Sequence, residues 1–428
     1  MTKSGKSRLA ILVGGGPAPG INGVISAATT EARKSDLEVL GIMDGFKWLI
    51  GDNLDELRQN VRELHMRDVA RIHFMGGSIL RTSRVNPTKD ERTLRNCLRA
   101  FHHLGVNYVI TIGGDDTIYA ASKLAAAAKG KIKFAHVPKT IDNDLPLPEN
   151  LPTFGFQTAR HLGAELVKNL MEDSRTTNRW YFIVAMGRKA GHLALGMAKA
   201  AGATLAVIAE EFKPGPITVQ AVCDVLEGAI LKRRAMGHKH GVAVIAEGLA
   251  ERFTPAELQA IPGVVIEHDP YGNIRLGEVE LGKILKLQLE NRFAARGDKI
   301  EIVEINIGYV LRCADPIPFD CEYVRDLGYS AVRYLLSTRP EHRDSALICV
   351  NGGKQLPVRF EDVLDPATGK TRLRLVDVTT ESYQVAVEYM VRLHQRDLDD
   401  TKFLAEMAKL AREDPEHLRQ RLAHVALP

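Results

Sequence analysis

The chain has 428 residues, 45% hydrophobic and 26% charged, with a formal net charge of +4. These are ordinary values for folded globular chains; they exclude disordered and fibrous classes, and the length favours two domains over one core. The small charge and the lack of a basic block interleaved with aromatics argue against a nucleic-acid partner, and no apolar run is long enough to span a membrane. The five cysteines (Cys97, Cys223, Cys313, Cys321 and Cys349) contain no CxxC pair. Reduced thiols in a cytoplasmic protein are therefore expected, with neither a disulfide frame nor a zinc site. The residues ahead of Arg8 run straight into a strand and carry no export signal.

Arg8 to Val13 reads as a strand, followed by the glycine turn Gly14 to Gly20 and a helical run from Asn22 to Ala32. A glycine turn between a first strand and a helix usually binds phosphate or a nucleotide, and a tight turn without a ligand is the bland alternative. Three residues separate Gly16 from Gly20, which is not the dinucleotide fingerprint. Leu37 to Met43 follows as a second strand. Gly76 to Arg84 then packs glycines, hydroxyls and the arginines Arg81 and Arg84 into a segment that suits a multi-oxygen anion or, standing alone, a solvated turn.

The densest stretch is 108–144. Tyr108 to Ile112 is an apolar run that meets Gly113, Gly114, Asp115, Asp116 and Thr117. Ala120 to Ala128 is a good helix former, and a second apolar run ends at Pro138, before Lys139, Thr140, Ile141, Asp142, Asn143 and Asp144. Such a βαβ unit places both acidic turns at the carboxyl edge of one parallel sheet, where ligands of open α/β sheets bind. Asp115, Asp116, Asp142 and Asp144 should therefore converge on one crevice. Gly113 and Gly114 allow a phosphate to approach the backbone, and Thr117 should open a helix whose first amides favour anions. Carboxylates beside a phosphate repel it unless a cation bridges them, so magnesium is implied.

Pro146 to Pro152 reads as a hinge between domains. Phe154 to Glu172 has helical spacing, with Phe156, Leu162, Leu166 and Leu170 as the expected inner face. Trp180 to Ala185 is a buried-type strand closing on Met186, Gly187 and Arg188. Alternation continues with a helix at Gly187 to Ala201, a strand at Ala203 to Ala209, a helix at Val219 to Ala235 and a strand at Gly241 to Ala246 that ends at Glu247. A helix over Gly277 to Arg296, a strand over Glu301 to Ile307, then Tyr309 and Arg312 follow. Glu322 to Leu336 should be helical and Ala346 to Val350 a strand. Thr380 to Leu393, Lys402 to Arg412 and Glu416 to Ala423 complete a helical region, broken at Asp414 and Pro415, that packs on the body or on another subunit.

At these residues the chain resembles the phosphofructokinase family, from about Leu9 to about Asp320. Gly15 to Asn22 matches its Gly-Gly-x-x-Pro-Gly-x-Asn loop, Gly113 to Thr117 its donor-phosphate loop, and Thr140 to Asp144 its catalytic loop. The resemblance implies an α/β fold of two Rossmann-like three-layer domains with mostly parallel sheets, the active site in the cleft between them, and a helical C-terminal extension. The donor-phosphate domain would be 1–152 with 313–375, the sugar-phosphate domain 153–312, and the helical region 376–428. The implied reaction is phosphoryl transfer to the 1-hydroxyl of fructose 6-phosphate in glycolysis, by a homodimer or homotetramer. Asp142 would be the base, Thr140 a hydrogen-bond donor, Asp144 a support for metal and loop, and Asp115 the magnesium ligand. Gly15, Gly16, Arg84, Gly114 and Thr117 would hold the donor. Met186, Gly187, Arg188, Glu247, Tyr309 and Arg312 would line the sugar site, Arg188 also taking part in catalysis, and Arg179 would reach the 6-phosphate from a neighbouring subunit. One departure is Val303, where the family usually has a basic residue on that phosphate.

The donor is decided by two further residues. Many ATP-dependent members carry glycine at the positions of Asp116 and Lys139. A carboxylate in the path of an α-phosphate repels ATP, and a lysine reaching into the vacated space binds compact pyrophosphate. The pair resembles the pyrophosphate-dependent branch; ATP as donor and sedoheptulose 7-phosphate as acceptor are the alternatives. A dinucleotide-dependent oxidoreductase would need the tighter fingerprint. A silent regulatory subunit would explain Val303, but it should also have lost Asp142.

Overall fold

The computed structural model describes residues 6–259, 261, 279–339, 342 and 344–428. Two of the sequence expectations, for the segment before Lys6 and for a helix beginning at Gly277, reach outside the described residues. The chain divides into two compact units, Met1–Ala159 with Val310–Arg374, and Arg160–Tyr309 with Leu375–Pro428.

The first unit is built on an eight-stranded sheet of β1 (Arg8–Val13), β2 (Glu38–Ile42), β3 (Val61–Glu63), β4 (Val106–Gly113), β5 (Lys133–Thr140), β6 (Phe154–Gly155), β11 (Ser345–Asn351) and β12 (Lys354–Val358). The order is β12-β11-β5-β4-β1-β2-β3, with β6 beside the end of β5. All pairings are parallel except β2 with β3 and β11 with β12. The period of two along β1 explains why its central strands read as continuous apolar runs. Leu9, Ile11 and Val13 join one core, with Ile21, Val24 and Ala28 of the helix Ile21–Lys34 and Val324, Leu327 and Ala331 of the helix Pro318–Leu335. Ala10 and Leu12 join the other, with Cys97 and Phe101 of the helix Glu91–His103 and Leu124 of the helix Asp115–Ala128.

Several boundaries move in ways that bear on chemistry. The second run does not end at Pro138: β5 continues to Thr140 because Lys139 and Thr140 pair with Phe154 and Gly155 of β6. The helix after the acidic turn begins at Asp115, capped by Gly114, so Thr117 lies within its first turn rather than opening it. The glycine turn after β11 is a hairpin, in which Gly352 and Gly353 take φ of 53° and 71°, the left-handed pair that a two-residue hairpin turn demands.

The second unit holds β7 (Trp180–Ala185), β8 (Leu205–Val207), β9 (Gly241–Ala246) and β10 (Ile302–Ile307) in the order β10-β7-β9-β8, all parallel. The helix His192–Ala201 starts later than expected because 187–191 form a turn. In the helix Phe156–Thr177 the expected leucine face is corrected. Leu162, Leu166 and Leu170 are half-buried, whereas Gly163, Ala164 and Val167 are buried. The reason is close approach: a Cβ on Gly163 would fall on the Met197 thioether, so small residues face inward.

The C-terminal helices are tied to this unit by buried charge. Glu227, 1% exposed on the helix Val219–Ala235, accepts from Arg292 at 2.8 Å, Arg296 at 2.6 Å and Arg421 at 2.9 Å, and Arg296 and Arg421 also reach Glu413. Burial pushes the Glu227 carboxyl up, but these guanidinium groups outweigh it and hold it below the usual carboxylate range. Arg392 and Glu211 form a second buried pair at 2.8 Å.

Candidate active site

In the first unit the carboxyl ends of β1, β4 and β5 bring three loops together. Gly14 donates to Ile112 O at 2.8 Å and Gly15 to Ser83 O at 2.9 Å, while Thr82 Oγ1 donates to Gly15 O at 2.6 Å, so the first glycine turn is stitched to β4 and to the 76–84 segment. Arg84 stands exposed on that segment and Arg81 lies 3.8 Å from Asp44. Cβ atoms on Gly14 or Gly113 would collide with Thr117, whose buried side chain fills the space between the two turns.

Lys139 is the centre of this half. It is 4% exposed, and its Nζ donates to Gly16 O at 2.5 Å. Arg312 lies on the same loop, its Nε 3.5 Å from Pro17 O and its guanidinium in the space a Gly16 side chain would take. The Lys139 ammonium is pushed down to about 8, chiefly by burial; Asp142, Asp115 and Asp144 oppose the fall and Arg312 adds to it. A lysine so placed is a desolvated cation ringed by acids and one further cation, available to a compact polyanion. Asp115 and Asp116 sit in the first turn of their helix, Asp115 half-buried and Asp116 exposed.

The turn after β5 is held from several sides. Asp142 N donates to Thr140 Oγ1 at 3.0 Å, Thr153 Oγ1 donates to Thr140 O at 2.8 Å, and Thr153 N donates to Asn143 Oδ1 at 3.1 Å. Asn143 adopts φ 57°, a left-handed conformation that asparagine tolerates, and this turns the chain between the buried Asp142 and Asp144. Sequence reading missed two supports. His136 is fully buried, its Nε2 3.1 Å from Gly113 O and its Nδ1 2.8 Å from Thr111 Oγ1. Since a carbonyl only accepts, Nε2 carries the proton, and burial, the largest cause, pushes the ring down to about 3, so it stays neutral. A histidine inside an apolar β-run was the available signal. Arg374, the other support, gave none, being 231 residues from Asn143 in the chain.

In the second unit, β7 delivers Arg179 at one end and Met186, Gly187 and Arg188 at the other, about 20 Å apart by strand rise. Glu247, at the end of β9, accepts with Oε1 from Gly187 N at 3.1 Å and Arg188 N at 2.7 Å. Arg188 has φ 51° and Met186 packs against Gly308. Tyr309 is 77% exposed. Arg179 Nη2 lies 3.6 Å from Glu301, and its buried Nε has no hydrogen-bond partner among the described residues. Val303 is interior to β10, opposite Tyr181, and Lys299 is exposed before that strand.

Among the described residues no three His, Cys, Asp or Glu side chains could enclose a metal by themselves. The acids around Lys139 are hard oxygen donors, and a divalent ion there would complete its shell with phosphate oxygens and water, as magnesium usually does.

Glycine turns, a buried cation and a carboxylate loop at the carboxyl ends of parallel strands define an α/β protein built to handle phosphate groups. Residues 8–335 match the Phosphofructokinase family model, and the chain belongs to that family. It is 56% identical over 417 residues to the pyrophosphate–fructose 6-phosphate 1-phosphotransferase of Thermotoga maritima, covering 97% of this chain and 98% of that one. To the protein of the same name in Naegleria fowleri it is 46% identical, over 94% and 92% of the two chains. The solved pyrophosphate-dependent phosphofructokinase of Marinobacter aquaeolei shares the fold, with TM-score 0.63 and 17% identity over 90% of each chain. No helix among the described residues is long and apolar enough to cross a membrane.

Proposed function

We propose that the protein transfers a phosphoryl group from pyrophosphate to the 1-hydroxyl of fructose 6-phosphate, giving fructose 1,6-bisphosphate and phosphate. The observation that carries this reading is Lys139, a buried cation bonded to the Gly16 carbonyl of the first glycine turn, together with Asp116 in the first turn of the helix that follows β4. Charge of opposite sign at these two positions attracts a compact diphosphate and repels a nucleoside triphosphate.

Phosphoryl transfer needs an in-line nucleophile, a base and positive charge on the equatorial oxygens. Asp142 would take the proton of the sugar 1-hydroxyl, its loop held by Thr140. Lys139, Arg84 and the amides of Gly16 and Gly114 would hold the donor, with Gly15 shaping the turn through its bond to Ser83 O, and Arg312, lying against the Gly16 turn, would add charge there. A divalent ion, magnesium in our reading, would neutralise the phosphate oxygens and be held by Asp115 with Asp144. Glu247 would offer sugar hydroxyls Oε2, the oxygen that Gly187 and Arg188 do not use, with Met186 and Tyr309 lining the pocket. Arg188 would face the reacting groups, and Arg179 would grip the 6-phosphate of a neighbouring subunit in a homodimer or homotetramer. Purified protein with magnesium and fructose 6-phosphate should turn over with pyrophosphate and far less with ATP; equal or better kcat/KM with ATP overturns the proposal.

A further inference from the structure

We infer that Arg374 is a positioning residue for the transfer, the brace that fixes the loop carrying Asp142 and Asp144. The inference rests on the assignment of Asp142 as the base. It concerns a residue outside 8–335, the span over which the family model matches.

The geometry is that of one side chain closing a loop at both ends. Arg374 Nε donates to Asn143 O at 3.0 Å, Nη2 donates to Asn143 Oδ1, and Nη1 donates to Leu151 O at 2.8 Å, while the Arg374 backbone N–H donates to Asp144 O at 2.8 Å. Asn143 stands between the two aspartates with a left-handed backbone, and its Oδ1 also receives the Thr153 amide at 3.1 Å. The guanidinium fork thus spans residue 143 and residue 151 together, and its rigid plane transmits one orientation to both. Its burial lowers the Arg374 pKa and the Asp144 carboxylate opposes that fall, so the cation is paired with the loop it braces. Lys139 is held differently, by its pairing in β5 and by Gly16 O.

That division makes the consequence specific. Loss of the guanidinium frees Asn143 and with it the orientation of Asp142, while the residue-374 backbone N–H, which alanine keeps, still holds Asp144 O and so the donor side of the loop. Misplacing a reacting group by about 1 Å costs on the order of 100-fold. Arg374→Ala should therefore lower kcat roughly 10- to 100-fold with the pyrophosphate KM changed by less than about threefold. Millimolar guanidinium chloride should return part of that kcat, with an equal concentration of potassium chloride as control, because a free guanidinium can occupy the vacated fork. Thermal unfolding and size-exclusion profiles report whether the variant is folded. If Arg374→Ala does not fold, Arg374→Lys decides, since it keeps the charge but not the fork: a drop in kcat with KM kept supports the brace. Normal kcat in either folded variant overturns the inference, as does a loss that appears equally in pyrophosphate KM or resists guanidinium in folded Arg374→Ala. Wild-type turnover measured in parallel separates this from the functional reading, because an inactive wild type refutes the reaction and not the brace.

Discussion

Replacing Lys139 by methionine should make the protein more stable near neutral pH while damaging its use of pyrophosphate. The ammonium is pushed from 10.5 to about 8 on folding, mainly by burial, which corresponds to roughly 3 kcal/mol of penalty for keeping the charged form inside. Between pH 8 and 10.5 the unfolded chain binds the proton that the folded chain has lost, so stability from this group rises with pH across that window; below pH 8 the penalty is fully present. Methionine removes it but leaves Gly16 O without its donor, a loss of about 1–2 kcal/mol at a half-buried carbonyl. The net gain at pH 7 is about 1–2 kcal/mol, read as a rise in the unfolding midpoint in urea or on heating. The gap between variant and wild type should shrink and then reverse as pH is raised from 8 towards 10.5, where the wild type has lost its penalty and the variant still lacks the donor to Gly16 O. Because a charged hydrogen bond to phosphate is worth about 1.5–3 kcal/mol, kcat/KM for pyrophosphate should fall roughly 10- to 100-fold. A Lys139→Met protein that is less stable at pH 7, or whose stability gap is unaffected by pH, refutes the picture of a strained buried cation kept for the donor.

Asp142→Ala should lower kcat by roughly two to four orders of magnitude with a smaller change in donor KM, and near-normal steady-state turnover would remove it as the base. Glu227→Ala leaves Arg292, Arg296 and Arg421 around a buried hole, and should cost about 3–5 kcal/mol in denaturant unfolding followed by circular dichroism; an unchanged midpoint would show the network to be neutral. Arg179→Ala and Asp142→Ala, each nearly inactive alone, should regain part of the activity when unfolded and refolded together, since mixed oligomers contain some sites with neither change. No recovery in demonstrably mixed oligomers rules out a shared site.

What was legible in the sequence was whatever is local and periodic. The strands at 8–13, 180–185 and 241–246 and the helix at 219–235 stand where apolar spacing placed them, because each is fully patterned by the sheet it enters. Errors arose where a distant partner decides. Leucines at 162, 166 and 170 looked like a core face until Met197 claimed the space beside Gly163. Pro138 looked like a terminus until β6 extended β5 by two residues. Arg374 carries no local mark at all, and its meaning lies in three carbonyl groups and a carboxamide brought to it by the fold.

The first glycine turn shows how a legible motif can be read for one reason and built for another as well. Gly-Gly-x-x-Pro-Gly reads as a backbone that lets phosphate approach, yet in the structure each glycine of the turn also makes room for a particular side chain. A Cβ at Gly15 would lie 3.3 Å from Lys139 Nζ, one at Gly16 would overlap the Arg312 guanidinium, and one at Gly14 would meet Thr117. Two of these neighbours, Lys139 and Arg312, are cations from other parts of the chain, and the Arg312 charge adds to the lowering of the buried Lys139 ammonium's pKa. In a dinucleotide turn the helix N-terminus and backbone amides do most of the work of holding pyrophosphate. Here the turn also admits two whole side-chain charges. If pyrophosphate is the donor, as proposed, a turn equipped in this way could hold it without a nucleoside to anchor it, since all the affinity must come from the diphosphate itself.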